Sequence, residues 1–87
     1  FWERCTTVPS PRLDAIVSGL TNLSREKAAA LVRNGGTAVN GRPQLRTDAL
    51  LSEGDVLSVT GYGKYRIEQV HEKTRKDRIR LLALQYV

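Results

Sequence analysis

The sequence lacks several residue types on which common active sites and stabilising devices depend. Its 87 residues include one cysteine, Cys5, one histidine, His71, and no methionine. A single cysteine cannot form an internal disulfide, and together with one histidine it provides too few ligands for a zinc site. No Ser–His–Asp or Cys–His catalytic set follows from the sequence. We therefore predict a protein that is not an enzyme and binds no metal or other cofactor, in a reducing, cytoplasmic setting.

Long apolar runs are also absent. No segment approaches the roughly 18 apolar residues that a membrane span needs, so no membrane insertion is expected. With 40% hydrophobic and 26% charged residues, the composition is typical of one small globular domain. Because the chain opens on Phe1 and lacks methionine, we expect a piece of a longer protein. Residues 1–9 are then a leader or linker from a preceding domain, and residues 10–87 are the folded unit.

Positive charge is what the sequence has in excess. Fourteen Lys and Arg residues against nine Asp and Glu residues give a net charge of +5. Ten of the fourteen are arginines, whose planar guanidinium suits phosphate. The bases cluster in residues 12–46 and 61–80, whereas residues 47–60 hold three acids and no base. This clustering indicates a nucleic-acid binder, and a merely well-solvated surface is the alternative.

Two short helices are predicted in the first half of the chain. The first begins at Ser10 and Pro11, a capping residue and a residue suited to the first helical turn, and ends near Asn22. The second begins at the cap Ser24 and is stopped by the two glycines at 35–36. Each helix has one apolar face, formed by Leu13, Ile16, Val17 and Leu20 in the first and by Ala28, Leu31 and Val32 in the second.

After residue 36 the apolar period changes to two, which predicts a small, mostly antiparallel sheet. Asn40-Gly41 is a strong signal for a hairpin turn. Tyr65 and Ile67 alternate with charged residues, so their strand is expected to bury one face. Strands are predicted at 37–40, 56–59, 64–70 and 78–84. Two helices followed by such a sheet make an α+β fold.

Five short motifs occur in one order along residues 12–59. They are Arg12-Leu13-Asp14, Ser24-Arg25-Glu26-Lys27-Ala28, Leu31-Val32-Arg33-Asn34-Gly35, Val39-Asn40-Gly41 and Glu53-Gly54-Asp55-Val56. In this order and at these gaps they resemble the S-four RNA-binding domain, named after the fourth protein of the small ribosomal subunit. The resemblance implies an αL-type two-helix motif followed by the sheet, with the core at about 12–59 and a C-terminal strand extension at 60–87.

The C-terminal third resembles one particular family of proteins that contain this domain. Residues 61–67, Gly-Tyr-Gly-Lys-Tyr-Arg-Ile, and the basic run at 73–80 are similar to the end of the YlmH-like family. A related branch is labelled as a photosystem II S-four-domain protein. The similarity implies the C-terminal domain of a larger protein linked to ribosome and tRNA binding. Gly36, Thr37 and Ala38 stand where the family often has a basic residue, so one phosphate contact is expected to be missing.

The resemblance assigns RNA contacts to the start of the first helix, the face of the second helix and the strand that follows. A second basic set lies in the C-terminal third, where Lys64 and Arg66 are expected to continue the first patch and Tyr62 is suited to stacking on an unpaired base. Ser24 as a plain cap, Asn40 as a turn residue and Tyr62 as a turn aromatic are the structural alternatives. The predicted RNA-binding residues are Arg12, Ser24, Arg25, Lys27, Arg33, Asn40, Arg42, Tyr62, Lys64, Arg66, Arg75 and Lys76.

The function expected from this pattern is docking on structured ribosomal or transfer RNA, on the ribosome and as a monomer, through phosphate and shape contacts. Two alternatives stay open. One is a protein-interaction domain that uses the basic face on an acidic partner. The other is an accessory RNA-binding domain of an RNA-modifying enzyme, such as a pseudouridine synthase. A DNA binder is less favoured, because no recognition-helix pattern follows the short helix pair.

Overall fold

The computed structural model describes residues 1–73 and 78–86, which form two helices and one antiparallel sheet of six strands. The elements are β1 (Trp2–Val8), α1 (Leu13–Thr21), α2 (Arg25–Arg33), β2 (Thr37–Val39), β3 (Arg42–Pro43), β4 (Val56–Val59), β5 (Gly63–Lys73) and β6 (Ile79–Gln85). The strand order across the sheet is β1-β6-β5-β4-β2-β3. The α+β class predicted from the sequence is confirmed.

Both helices pack on one face of the sheet. Tyr65 and Ile67 of β5 are 2% and 0% exposed and belong to the same core cluster as the apolar faces of α1 and α2. Because side chains alternate across a strand, Lys64 and Arg66 lie on the opposite face of the sheet. We call this second face, away from the helices, the outer face.

Helix α1 begins later than the sequence predicted. Ser10 does not cap it and Pro11 does not lie in its first turn; the N-cap is Arg12, whose side chain makes no capping hydrogen bond. Pro11 instead accepts a backbone hydrogen bond from Leu51 at 2.9 Å, which holds it outside the helix. Two of the free N–H groups at the start of α1 are satisfied by the loop between β3 and β4, because Leu13 donates to the carbonyl of Ala49 at 2.8 Å and Asp14 donates to that of Thr47 at 3.1 Å.

Residues 1–9, for which no strand was predicted, contain an edge strand of the sheet. Strand β1 pairs with β6 along its full length, from Trp2 opposite Gln85 to Val8 opposite Ile79. The sheet therefore contains one strand that precedes the helices in the sequence as well as the strands that come after them. Helix α1 lies close above this strand, since a Cβ on Gly19 would be 2.7 Å from Thr6 Oγ1.

The turn and cap predictions in the middle of the chain are confirmed. Ser24 caps α2 by accepting a hydrogen bond from the backbone of Lys27 at 3.2 Å. Gly35, at the end of α2, has φ 83°, the left-handed conformation that glycine adopts without strain. Asn40 and Gly41 have φ 54° and 81° and connect β2 to β3 as a tight hairpin.

Candidate nucleic-acid interface

A buried carboxylate lies at the start of α1 between two arginines. Asp14 is 5% exposed, and its Oδ1 accepts a hydrogen bond from the backbone of Ala15 at 2.8 Å. Arg12 donates to the same carboxylate twice, from Nε to Oδ1 at 3.2 Å and from Nη2 to Oδ2 at 3.0 Å. Arg25 Nη2 lies 3.3 Å from Oδ1. One carboxylate therefore holds two guanidinium groups, one from the start of each helix.

The two arginines remain accessible although Asp14 is buried. Their side chains are 41% and 46% exposed. Each guanidinium has five N–H donors, and Asp14 engages two of Arg12 and one of Arg25, so both keep donors for another acceptor. Two positive charges against one negative charge leave this cluster of Arg12, Asp14 and Arg25, here called the arginine clamp, with a net charge of +1.

A third arginine lies beside the clamp. Arg46 Nε donates to Asp48 Oδ1 at 3.3 Å, and both side chains are largely exposed. The hydrogen bond from Arg46 and its positive charge lower the pKa of Asp48 below the usual value, and the charge of Arg12 contributes in the same direction. The loop that carries this pair folds against the start of α1, where the carbonyl of Thr47 accepts a hydrogen bond from Asp14 at 3.1 Å.

Helix α2 presents further basic side chains to solvent. Arg25 is its first residue, Lys27 lies in its first turn and Arg33 in its last, and all three are exposed. The Ser24 hydroxyl serves as the helix cap, and its assignment as an RNA-binding residue stays a prediction. Its cap fixes the start of the helix from which Arg25 reaches Asp14.

The hairpin after α2 uses Asn40 as a structural residue. Its Nδ2 donates to Asp55 Oδ1 at 3.0 Å, and its Oδ1 accepts a hydrogen bond from the backbone of Val56 at 2.9 Å. Both polar atoms of the side chain are thus engaged within the fold, and the assignment of Asn40 as an RNA-binding residue stays a prediction. Arg42 lies opposite Val39 on the edge strand β3 and is exposed.

The basic residues of β5 lie on the outer face, so they do not form the continuous ridge with Arg12 and Arg25 that the sequence predicted. Arg66 Nε donates to Glu68 Oε1 at 2.7 Å, and this hydrogen bond together with the charge of Glu68 raises the pKa of Arg66 above its ordinary value. Arg66 also lies 5.6 Å from the centre of the Phe1 ring, and Lys64 Nζ lies 5.8 Å from that of Tyr86. These are cation–π distances.

Tyr62 lies in the turn between β4 and β5 with 42% of its surface exposed. Its carbonyl accepts a hydrogen bond from Gln85 Nε2 at 3.2 Å, which anchors the backbone of the turn. Arg75 and Lys76, also predicted to bind RNA, lie outside the described residues.

No protein-family model matches the chain. It is 37% identical over 78 residues to the ribosome-associated protein quality control protein P2 of Bacillus subtilis (strain 168), a match that covers 90% of this chain and 30% of that protein. It is 31% identical over 76 residues to the uncharacterized RNA pseudouridine synthase MG209 of Mycoplasma genitalium, with coverages of 86% and 22%. The crystal structure of the 30S ribosomal protein S4e from Thermoplasma acidophilum superposes with a TM-score of 0.58, at 17% identity, over 97% of this chain and 38% of that one.

The chain is an S-four-type domain. This confirms the resemblance carried by the five motifs of residues 12–59. The likeness to protein S4e, at 17% identity, is evidence for the fold alone. The S-four domain spans less than a third of the length of each curated relative, 30% of one and 22% of the other.

Two residues of the candidate interface in this S-four domain were missed by sequence reasoning. From the sequence, Asp14 was named only as part of the first motif, and Arg46 was counted in the basic segment without being singled out. A shared spacing was available as a signal, because Arg12 and Asp14, Arg46 and Asp48, and Arg66 and Glu68 are all arginine–acid pairs two residues apart. Only burial distinguishes them, with acid side chains 8%, 55% and 31% exposed, and burial cannot be obtained from spacing.

Other kinds of site have little support in the described part of the S-four domain. Across residues 1–73 and 78–86, no three His, Cys, Asp or Glu side chains come together as a set of metal ligands. Within the same ranges, neither helix has the length and apolar character needed to cross a bilayer. Cys5 and His71 are exposed.

Proposed function

We propose that this S-four domain is an RNA-binding module that docks on structured ribosomal or transfer RNA. The observation that carries the proposal is the arginine clamp, in which the buried carboxylate of Asp14, whose side chain is 8% exposed, holds two accessible guanidinium groups. Burying a carboxylate costs free energy unless it is paired, and here the pairing fixes the direction of both arginines. Guanidinium groups held in this way are suited to phosphate oxygens, which they can contact through two parallel hydrogen bonds.

In the proposed mechanism, α1, α2 and β2 act as the αL-type motif that faces the RNA. Arg12 and Arg25 bind backbone phosphates, and Arg33, Lys27 and Arg42 extend the contact, with Arg46 added from the structure. Ser24 and Asn40 act through the fold, by fixing α2 and the hairpin. Binding is then driven by release of counterions from the RNA together with a few oriented hydrogen bonds.

We further propose a weaker, second contact on the outer face through Lys64 and Arg66, with Tyr62 stacking on an unpaired base. The basic side chains Arg75 and Lys76 are assigned to the same set by their place in the sequence. Lys64 and Arg66 lie beside the aromatic rings of Tyr86 and Phe1. Surfaces that bind single-stranded nucleic acid combine positive charge with aromatic rings on which bases stack.

The proposed setting is a larger, ribosome-associated protein of the cytoplasm, with this domain a monomer that supplies affinity and placement and carries no catalytic residues. Its support is that one relative is named as ribosome-associated. A second candidate is an accessory domain of an RNA-modifying enzyme, which the pseudouridine synthase among the relatives favours. The two differ in what lies elsewhere in the protein, and both require this domain to bind RNA.

The test is a titration of binding against salt with a folded transfer RNA, a DNA duplex and heparin. We expect folded RNA to bind at least about tenfold more tightly than the other two, or about 1.4 kcal/mol. The logarithm of affinity should fall linearly with the logarithm of salt concentration, with a slope that counts the phosphates engaged. Equal binding of all three ligands would reject the RNA-binding function and favour a protein-interaction domain for acidic partners.

A further inference from the structure

A depression lies between the end of β1 and helix α1, next to the arginine clamp. It has a volume of about 280 Å³, and its lining includes Thr7, Pro9, Ser18, Gly19, Arg25 and Arg78. A water molecule occupies about 30 Å³ of liquid, so the space is large enough for a phosphate group and part of its hydration. Arg25 therefore faces two sites, the carboxylate of Asp14 and this depression.

The second arginine of the depression is held by neutral groups. Arg78 Nη2 donates to the carbonyl of Thr7 at 3.0 Å, and its Nε donates to Thr7 Oγ1 at 3.3 Å. These two hydrogen bonds orient the guanidinium without cancelling its charge, and within residues 1–73 and 78–86 they engage two of its five N–H donors. The sequence analysis counted Arg78 in the basic run at 73–80 and did not include it among the RNA-binding residues.

The charges around the depression favour an anion. Its lining contains two arginines and no carboxylate among the described residues. Among the described residues, the acid that pairs with Arg25 is Asp14, which also pairs with Arg12. The three guanidinium groups of Arg12, Arg25 and Arg78 against one carboxylate give a local charge of +2.

We propose that the depression between Arg25 and Arg78 is a binding site for one phosphate of an RNA backbone, beyond the clamp itself. The proposal rests on the RNA-binding function above and extends the interface from the helices to the β1–β6 edge of the sheet. Arg78 is then a binding residue, and Thr7 positions it.

Arg80 provides a matched control. It lies two residues further along, is exposed like Arg78, and lines a different groove together with Glu3 and Cys5. Replacing either arginine removes one positive charge from the same end of β6. Glutamine is the substitution of choice, because in Arg78→Gln the amide keeps a donor for the Thr7 carbonyl and the strand pairing is preserved.

The experiment compares the binding of a folded transfer RNA by the full chain, Arg78→Gln and Arg80→Gln over a series of salt concentrations, after thermal unfolding has shown that all three are folded. We expect Arg78→Gln to weaken binding at least about fivefold and to reduce the salt slope by about 0.7 to 0.9, the loss of one phosphate contact. Arg80→Gln should change affinity less than about twofold. If the full chain binds RNA but the two variants lose equal affinity, the phosphate site is wrong and the RNA-binding function stands. If the full chain shows no preference for folded RNA, both are wrong.

Discussion

The two basic surfaces of this domain hold their cations in different ways. On the helix side, Arg12 and Arg25 converge on Asp14, whose side chain is 8% exposed. On the outer face, Arg66 pairs with Glu68, an acid on the same strand that is 31% exposed, and Lys64 lies over an aromatic ring. The helix-side pair joins two elements of the fold, whereas the outer-face contacts are local.

This difference shows that the number of positive charges on a surface is a poor measure of its expected affinity for RNA. A solvent-exposed ion pair is worth little and leaves its side chains mobile. A buried carboxylate is costly unless its partners stay in place, so it keeps the arginines oriented before any ligand arrives. Affinity should therefore depend more on the clamp than on the equally charged outer face.

Removing two charges from each surface should give the largest contrast. We expect Arg12→Gln with Arg25→Gln to weaken binding of a folded transfer RNA by about a hundredfold, because two charge-assisted hydrogen bonds contribute about 3 kcal/mol. Lys64→Gln with Arg66→Gln removes the same formal charge and should cost less than about threefold. Binding constants at one salt concentration measure both. Equal losses of affinity from the two double variants would show that the two surfaces contribute equally to RNA binding.

Asp14→Asn tests whether the carboxylate positions the arginines. Removing a negative charge beside an RNA site should strengthen binding by electrostatics alone. We expect the opposite, a loss of at least about tenfold, because asparagine cannot hold both guanidinium groups. The variant should also unfold more easily, by about 1–3 kcal/mol, since a buried partner is lost.

Asp48→Asn is the matched control for this variant, because Asp48 forms an exposed arginine–acid pair of the same spacing. Its affinity for RNA should stay the same or rise by about twofold. This prediction is tested by measuring the affinity of both variants for RNA and their free energy of unfolding in chemical denaturant. Tighter binding by Asp14→Asn would mean that Asp14 only neutralises positive charge and does not orient the two arginines.

Ser24→Ala should produce the smallest change in RNA binding and a clear change in stability. Loss of the cap should lower the free energy of unfolding by about 1 kcal/mol, whereas the folded variant should bind RNA within about threefold of the parent. Ser52→Ala, on an exposed turn, is the control and should change stability by no more than about 0.5 kcal/mol. A large loss of affinity in Ser24→Ala would make its hydroxyl an RNA contact.

Much of the fold could be predicted because its signals are local. The cap at Ser24, the glycine at 35 and the turn at Asn40 each follow from the chemistry of one or two residues. The start of α1 could not, since the carbonyl of Ala49 replaces a side-chain cap and lies 36 positions beyond Leu13 in the chain. Strand β1 was missed for the same reason, because its pairing partner β6 lies at the other end of the sequence.

The site was predictable as a set of basic residues but not as an arrangement. The motif beginning at Arg12 and the helix beginning at Arg25 both pointed to RNA. That their guanidinium groups meet on one carboxylate depends on the angle at which two helices pack, which periodicity does not specify. Lys64 and Arg66 illustrate the converse, because strand alternation correctly placed them on one face but could not tell which side of the sheet the helices cover.

The pairing of β1 with β6 has a consequence for the order in which the domain assembles. Within the domain, residues 2–8 are synthesised before both helices, whereas their hydrogen-bonding partners at 79–85 are synthesised after all the other strands. Until β6 is synthesised, strand β1, which packs against Gly19 of α1, has no pairing partner. The side chain of Arg4 then also lacks the Gln85 oxygen to which it donates at 2.9 Å. Contacts of such long sequence separation form slowly. Strand β6 therefore completes the sheet, and a nascent chain that lacks this strand exposes the unpaired edges of β1 and β5 to other chains.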